Sequence, residues 1–167
     1  MLIWWLVALV VPFGIAGLVG APYVPILRRD YEPLLDLADL KPGQTLVDLG
    51  SGDGRLLAAA ARRGVKGIGY EINPFVYAVS LVITWRYRRL VRVYLGDFWR
   101  TPLPVCDAVY VFLIDRLMPK LDRKLTAEIT TPTPVISFVF QIPGRRSSRH
   151  NRNAYRYDYG TAPMASK

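Results

Sequence analysis

Glycines and acidic residues alternate over a short stretch that directly follows an apolar run. Residues 48–54 read DLGSGDG, with glycines at 50, 52 and 54 and carboxylates at Asp48 and Asp53. Glycine costs conformational entropy unless the chain must turn tightly or admit a ligand to its backbone. The spacing is one residue tighter than the G-x-G-x-x-G turn that binds dinucleotides, and the Asp48 carboxylate would repel a pyrophosphate. The stretch therefore predicts a ligand that lacks phosphates and carries a positive group.

Two further acids stand at the ends of the next two apolar runs. Glu71 ends GIGYE, and Asp97 follows VRVYLG with Phe98 beside it. Ligands of open α/β sheets bind beyond the carboxyl ends of the strands, where an acid can accept both hydroxyls of a ribose. We expect Glu71 to do so, Asp97 to accept an amino group, and Phe98 to cover a flat base. Asn73 is expected to cap the next helix, with Pro74 in its first turn.

Each acid taken alone could be a helix cap or a surface carboxylate. Asp48 could cap the helix after the glycine turn, and Glu71 and Asp97 could be solvated strand ends. Their occurrence after three successive predicted strands favours a nucleoside site. S-adenosylmethionine fits such a site, because it combines an ammonium, a sulfonium, a ribose and an adenine.

The elements that must position these residues alternate between strand and helix. Strands are predicted for TLVDLG, GIGYEI, VRVYLGDF, DAVYVFLI and PVISFVFQI. Helices are predicted for YEPLLDLADL, RLLAAAARRG, NPFVYAVSLVITWRYRRL and LMPKLDRKLTAEI. After a basic loop, RRSSRHNRN, the segment AYRYDYG predicts a sixth, antiparallel edge strand. This order indicates an α/β fold, a mostly parallel sheet with helices on both faces.

Three motifs resemble those of the class I, seven-strand S-adenosylmethionine-dependent methyltransferases: VDLGSGDGR, GYEINP and GDFW. More narrowly, YVP and the segment from LLDLADL to GYEINP resemble a small membrane-anchored lysine methyltransferase family. That family includes the mitochondrial enzymes that modify the adenine nucleotide translocase and the ATP synthase c-subunit. The resemblance covers about residues 22 to 143.

The resemblance implies a Rossmann-like class I fold, S-adenosylmethionine as cofactor, and methyl transfer to a lysine of a membrane-associated protein. The implied cofactor-binding set comprises Asp48, Gly50, Ser51, Gly52, Gly54, Glu71, Asn73, Asp97 and Phe98. No catalytic residue is assigned. One departure is Ile26, which stands where relatives usually carry a threonine hydroxyl near the active-site mouth.

Other functions remain open from the sequence. The substrate could instead be a small or lipid-like membrane molecule, or the domain could bind the cofactor without turnover. An RNA substrate is also open, but DAVY at the fourth strand is not the Asn/Asp-Pro-Pro-Tyr/Phe motif of amino-methylating nucleic-acid enzymes. Nucleic acid is therefore a disfavoured partner.

Trp85, Tyr87 and Trp99 could line a lysine channel, but packing is the favoured interpretation. Asp115 could contact substrate or cap a helix.

The amino-terminal segment carries no charged side chain from residue 1 to residue 27. Its length is sufficient for one membrane-spanning helix, and no basic residue precedes it as a signal peptide would require. We expect an anchor at residues 1–21, with bilayer contact through residues 2–20. Arg28 and Arg29 follow and place the remaining chain on the cytoplasmic side. Residues 22–45 form a connector and first helix, 46–160 the methyltransferase core, and 161–167 a flexible tail.

Composition limits the other classes of function. The 167 residues carry a net charge of +9 and include one cysteine and one histidine. One cysteine cannot form an internal disulfide, and a Cys/His metal cluster is excluded. A carboxylate-only metal site is open, but nothing in the sequence points to one, so no metal is predicted. The charge suggests an anionic partner such as nucleic acid, a membrane surface or an acidic protein, or else reflects solubility and a position next to a membrane. The arginine-rich segments WRYRRLVR and RRSSRHNR are assigned to lipid headgroups, because the predicted span already places the domain there.

Overall fold

The structure is a computed structural model that describes residues 27–160. The predicted anchor at 1–21, Ile26 and the predicted tail at 161–167 lie outside the described residues. Within residues 27–160, every helix is too short or too polar to cross a bilayer. The anchor therefore stays a prediction.

One seven-stranded sheet organises the described chain, in the order β3-β2-β1-β4-β5-β7-β6. Its strands are β1 Thr45–Leu49, β2 Lys66–Glu71, β3 Val91–Leu95, β4 Ala108–Val111, β5 Thr133–Phe138, β6 Arg149–Asn151 and β7 Ala154–Tyr159. The helices are α1 Arg28–Ala38, α2 Arg55–Arg62, α3 Pro74–Thr84 and α4 Met118–Glu128. Strands β1 to β5 pair in parallel, and β7 runs antiparallel to β5 and β6. The carboxyl ends of β1 to β5 therefore meet at one edge.

The two faces of the sheet are covered unequally. Residues of α1 and α2 pack with Leu46 of β1 into a first core, and α3 contacts β3 and β2 beside α2. Helix α4 packs Leu121 and Leu125 against Val47 and Leu49 in a second core on the other face. This alternation along β1 follows from the period of two in a strand. The predicted arrangement, a mostly parallel sheet with helices on both faces, is confirmed.

Helix α3 is shorter than predicted. The sequence favoured one helix through NPFVYAVSLVITWRYRRL, but α3 ends at Thr84 and a 3-10 turn, Trp85–Tyr87, follows. The hydroxyl of Ser80 donates to the carbonyl of Tyr77 at 2.7 Å, and that of Thr84 donates to the carbonyl of Ser80 at 2.7 Å. Side-chain hydroxyls that bond back to helix carbonyls bend and weaken a helix, so the chain tightens here.

The carboxyl-terminal strands also differ from the prediction. Strand β5 ends at Phe138 rather than continuing through PVISFVFQI, because Val139 takes a left-handed φ of 68° that breaks the pleat. The predicted loop RRSSRHNRN contains the short strand β6. The antiparallel strand in AYRYDYG is confirmed as β7, but it is not an edge strand, because β6 pairs with its outer side.

A cluster around Arg145 fastens the loop after β5 to α4 and β7. The Arg145 guanidinium pairs with the Asp122 carboxylate and donates to the Thr126 hydroxyl at 2.7 Å. It also lies 4.1 Å from the centre of the Tyr159 ring, whose hydroxyl donates to Asp122 at 2.6 Å. Burial, followed by this contact with Asp122, raises the pKa of Tyr159. The cluster therefore connects β7 and the loop after β5 to α4.

Removing a side chain from the second core tests this packing. Leu125 of α4 is fully buried, so Leu125→Ala should lower the free energy of unfolding by about 2–5 kcal/mol. Arg123→Ala on the exposed side of α4 is the matched control and should change it by about 0.5 kcal/mol or less. Urea denaturation followed by circular dichroism measures both. Equal effects would contradict the packing of α4.

Candidate active site

The glycine turn after β1 is built from left-handed residues. Gly50, Gly52 and Gly54 have φ of 91°, 54° and 77°. A Cβ at Gly54 would lie 2.9 Å from a Thr84 methyl group, whereas one at Gly50 would meet nothing within 4 Å. Gly54 is therefore required where α2 packs on α3, while Gly50 leaves its backbone open to a ligand. The turn is held by the Tyr70 carbonyl, which accepts the N–H groups of Gly50 and Ser51 at 3.0 and 2.9 Å.

Glu71 connects the glycine turn to the start of α3. One carboxylate oxygen accepts the Gly52 N–H at 2.9 Å, and the other accepts the Asn73 N–H at 2.8 Å. A carboxylate has about four acceptor positions, so two remain for the hydroxyls of a ribose. Asn73 is confirmed as a helix cap, because its side-chain oxygen accepts the N–H groups of Phe75 and Val76. Its predicted contact with a cofactor stays a prediction.

Asp97 lies in the turn after β3, beside Glu71. The Gly96 N–H donates to the Glu71 carbonyl at 2.9 Å, and one Asp97 carboxylate oxygen accepts the Trp99 N–H at 2.9 Å. The structure thus brings the acids at the ends of β2 and β3 together, and their contacts with ribose and adenine stay predictions. Phe98 is buried in the second core with its ring centre 4.5 Å from that of Trp99. Its contact with a base stays a prediction.

Asp48 is a carboxylate that the sheet buries without satisfying. It is 2 % exposed, and one of its oxygens has no hydrogen-bond partner among the described residues. Burial first, and then the charges of Glu71 and Asp53, raise the pKa of Asp48 well above its usual value. Asp48 does not cap α2, whose N-cap is Gly54. Asp53 instead pairs with Arg55 at the start of α2, at 2.9 Å.

Two hydroxyl groups beside Asp48 are also unsatisfied within residues 27–160. They belong to Ser51 and Tyr110, and Tyr110 lies opposite Asp48 in the register of β1 and β4. Buried polar groups are almost always paired in folded proteins. Three such groups beside an open glycine backbone therefore indicate a polar, cationic ligand, which fits the ammonium-bearing end of S-adenosylmethionine. The described residues form no cluster that could hold a metal ion.

The sequence did not single out Tyr110. Burial first, and then the charges of Asp48, Tyr31 and Asp30, raise its pKa, so the first turn of α1 also lies close to this site. The one signal was a phenol in an otherwise apolar strand, AVYV. Its position opposite Asp48 depends on strand order and register, which the sequence pattern leaves undetermined.

The three aromatic residues considered for a lysine channel do not lie together. Trp85 and Tyr87 precede β3 and lie at the amino edge of the sheet, whereas Trp99 follows β3 at the carboxyl edge. Tyr87 and Trp99 pack against different cores, which agrees with the favoured packing interpretation. For Trp85 that interpretation is wrong, because its side chain is 66 % exposed and belongs to neither core. Asp115 is exposed and does not cap α4.

A seven-stranded 3-2-1-4-5-7-6 sheet with a glycine turn after its first strand and acids after its second and third defines a class I S-adenosylmethionine-dependent methyltransferase. Within that class, the chain belongs to the family described as the ANTKMT methyltransferase domain, which matches residues 48–149. The predicted resemblance to this methyltransferase family is confirmed.

Individual relatives agree with this assignment. The chain is 34 % identical to the ATP synthase c-subunit lysine N-methyltransferase of Rattus norvegicus, over 73 % of this chain and 57 % of that protein. It is 37 % identical to the adenine nucleotide translocase lysine N-methyltransferase of Mus musculus, over 73 % of this chain and 54 % of that protein. The chain therefore spans just over half the length of these curated relatives.

A solved structure matches most of the chain. It is an RNA methyltransferase from Salinibacter ruber in complex with S-adenosyl-L-homocysteine, with a TM-score of 0.78 and 28 % identity. The match covers 84 % of this chain and 97 % of that chain.

The buried Asp48 carboxylate should make the cofactor-free protein sensitive to pH. Because its pKa is raised in the folded state, folding stability falls as pH rises from the unfolded value, near 3.9, through the folded value. Asp48→Asn should therefore raise Tm at pH 7, and the gain should shrink as the pH is lowered toward about 4. Thermal melts across pH measure this, with the exposed Asp115→Asn as control. A gain independent of pH would contradict the assignment.

Proposed function

We propose that the chain is an S-adenosylmethionine-dependent protein-lysine N-methyltransferase that acts on a membrane-associated protein. The observation that carries this proposal is the group of polar atoms of Asp48, Ser51 and Tyr110 that have no hydrogen-bond partner within residues 27–160, beside the open glycine turn. Relatives named as lysine N-methyltransferases of the ATP synthase c-subunit and of the adenine nucleotide translocase support the lysine substrate. The substrates in these two names, the ATP synthase c-subunit and the adenine nucleotide translocase, are membrane-associated proteins.

The site residues divide between the parts of the cofactor. Asp48 and Ser51 would hold the charged methionine end beside the Gly50 backbone. Glu71 would accept the ribose hydroxyls, and Asp97 the adenine amino group. Bound S-adenosylmethionine supplies an electrophilic methyl group on a sulfonium.

The chain's own contribution to the reaction is positioning and desolvation. The Tyr110 hydroxyl lies near both Asp48 and the first turn of α1, where it would orient an incoming lysine amine. A nucleophilic lysine must be neutral, and burial lowers the pKa of an amine. A site that excludes water therefore favours the reactive form without a dedicated base, and correct alignment supplies much of the rate.

Membrane attachment through residues 1–21 belongs to the same proposal. It is supported by the uncharged run up to Leu27, by Trp4 and Trp5 near its start, and by Arg28 and Arg29 after it. With lipid contact through residues 2–20 and the arginines inside, the methyltransferase domain would lie on the cytoplasmic side. A membrane protein substrate would then be within reach.

RNA is a second candidate substrate. The similar Salinibacter ruber structure is that of an RNA methyltransferase, and this chain is basic, with a net charge of +9. The fourth strand nevertheless lacks the Asn/Asp-Pro-Pro-Tyr/Phe motif, as LIDR follows VYVF in the chain. Lysine therefore remains the favoured acceptor.

A labelling experiment tests the proposed substrate class. The full chain in nanodiscs would be incubated with methyl-labelled S-adenosylmethionine in two separate reactions. One reaction contains membranes from a strain that lacks this protein, and the other contains total RNA. We expect one labelled protein band whose hydrolysate contains methyl-lysine. Label confined to extracted lipid or to RNA would show that lipid or RNA, and not a lysine, is the methyl acceptor. Cofactor binding with no label in any fraction would instead indicate a non-catalytic binding module.

Substitution of the two strand-end acids tests the cofactor site. Glu71→Ala or Asp97→Ala should weaken S-adenosylhomocysteine binding at least about tenfold, which is roughly 1.4 kcal/mol. Isothermal titration calorimetry gives the Kd, and the exposed Asp115→Ala is the matched control. Glu71 also holds Gly52 and Asn73, so a thermal melt of each variant must accompany the titration. Unchanged Kd values in both folded variants would overturn the site.

A further inference from the structure

The outer side of α3 is a continuous apolar stripe. Phe75, Ala78, Val79 and Val82 recur at spacings of three and four residues, and Trp85 continues the row. Phe75 is 55 % exposed, Val82 77 % and Trp85 66 %. Residues at this spacing share one side of a helix, so the row forms one patch, which we call the α3 face.

The inner side of the same helix carries its more polar residues. Val76, Ser80 and Thr84 are buried, and the hydroxyls of Ser80 and Thr84 bond back to their own helix. A surface helix normally turns its apolar side inward and its polar side outward. Helix α4 follows that rule, since it buries Met118, Leu121 and Leu125. The reversed pattern of α3 indicates that its outer side has an apolar contact.

A basic cluster adjoins the α3 face at its carboxyl end. Arg86, Arg88 and Arg89 are exposed, and the Arg88 guanidinium lies 5.0 Å from the centre of the Trp85 ring. No acidic residue occurs between Glu71 and Asp97. The occupant of this surface must therefore be apolar along the stripe and anionic next to it.

We propose that the α3 face lies in the interfacial layer of a lipid bilayer that contains anionic headgroups. Helix α3 has 11 residues, and a spanning helix needs about 20, so it would lie along the surface. Basic amphipathic helices bind in this way, with the apolar side chains below the headgroups and the cations among them. The exposed indole of Trp85 suits this layer.

Other occupants match the surface less well. A second copy of the chain packed through the same face would cover the stripe, but residues 72–96 contain no carboxylate that could pair with Arg86, Arg88 and Arg89. Residues 1–26 are apolar enough to cover the stripe, but they contain no acidic side chain that could pair with the arginines. An anionic bilayer matches both parts of the surface.

This contact would fix the orientation of the site as well as its distance from the membrane. Helix α3 begins three residues after Glu71, which holds the glycine turn. A bilayer against α3 would therefore keep the candidate site close to the lipid surface. The inference depends neither on the span at residues 1–21 nor on methyl transfer.

A single spin label can test the proposal. In the full chain with Cys106→Ser, Val82→Cys would carry a nitroxide, and Ala127→Cys on the exposed side of α4 would be the matched control. Each protein is mixed with nanodiscs of phosphatidylcholine, with or without phosphatidylserine, and collisions with oxygen and with a water-soluble nickel complex are measured. Oxygen concentrates in lipid and the nickel complex in water. We expect the oxygen-to-nickel ratio at Val82 to rise severalfold with phosphatidylserine, while the ratio at Ala127 stays at its value in water.

Each other outcome overturns the lipid contact in a recognisable way. Low collision with both reagents at Val82 would show that protein, such as residues 1–26, covers the face. Dipolar broadening between labels would show a second copy. A ratio equal to that at Ala127 would show water. Replacing Arg86, Arg88 and Arg89 together by Gln should abolish the response to phosphatidylserine, and a response that persisted would contradict the role of the arginines.

Discussion

The two hydrogen bonds accepted by Glu71 are the interaction on which the site depends. Through them one carboxylate fixes Gly52 in the turn after β1 and Asn73 at the start of α3. Asn73 in turn caps α3, and Gly54 at the end of the turn lets α3 approach α2. A single side chain thus connects the turn after β1 and the end of β2 to the start of α3. If α3 began at a different residue or in a different direction, a different set of its side chains would be exposed to solvent.

Asp48 shows the opposite condition, because one oxygen of its buried carboxylate has no hydrogen-bond partner within residues 27–160. Burying a polar group without a hydrogen-bond partner is unfavourable. Within residues 27–160 the buried hydroxyl groups of Ser51 and Tyr110 also lack a partner, so they destabilise the cofactor-free protein in the same way. A sequence selected for stability alone would place apolar residues there. Departures of this kind concentrate at functional sites. The ligand that completes these hydrogen bonds therefore also stabilises the protein that binds it.

Much of this arrangement could be predicted from the sequence, and the exceptions have physical reasons. Strands β1 to β5 are short apolar runs between turn signals, so their number and the acids that follow them could be read directly. The position of Tyr110 opposite Asp48 could not, because it depends on which strands are neighbours. The end of α3 at Thr84 depends on hydroxyl bonds within the helix. The early end of β5 depends on one backbone angle, at Val139.

The two edge strands of the sheet, β3 and β6, both carry charge, which affects whether separate molecules can pair through their sheets. Each carries an exposed arginine, Arg92 in β3 and Arg149 in β6, and β6 is only three residues long. The unpaired backbone groups of an edge strand invite another strand to add to the sheet, and charged side chains or short strands at the edge oppose this. A neighbouring molecule that approached edge to edge would bring arginine against arginine. The charges at both edges and the short length of β6 therefore oppose the pairing of sheets between crowded copies of the protein.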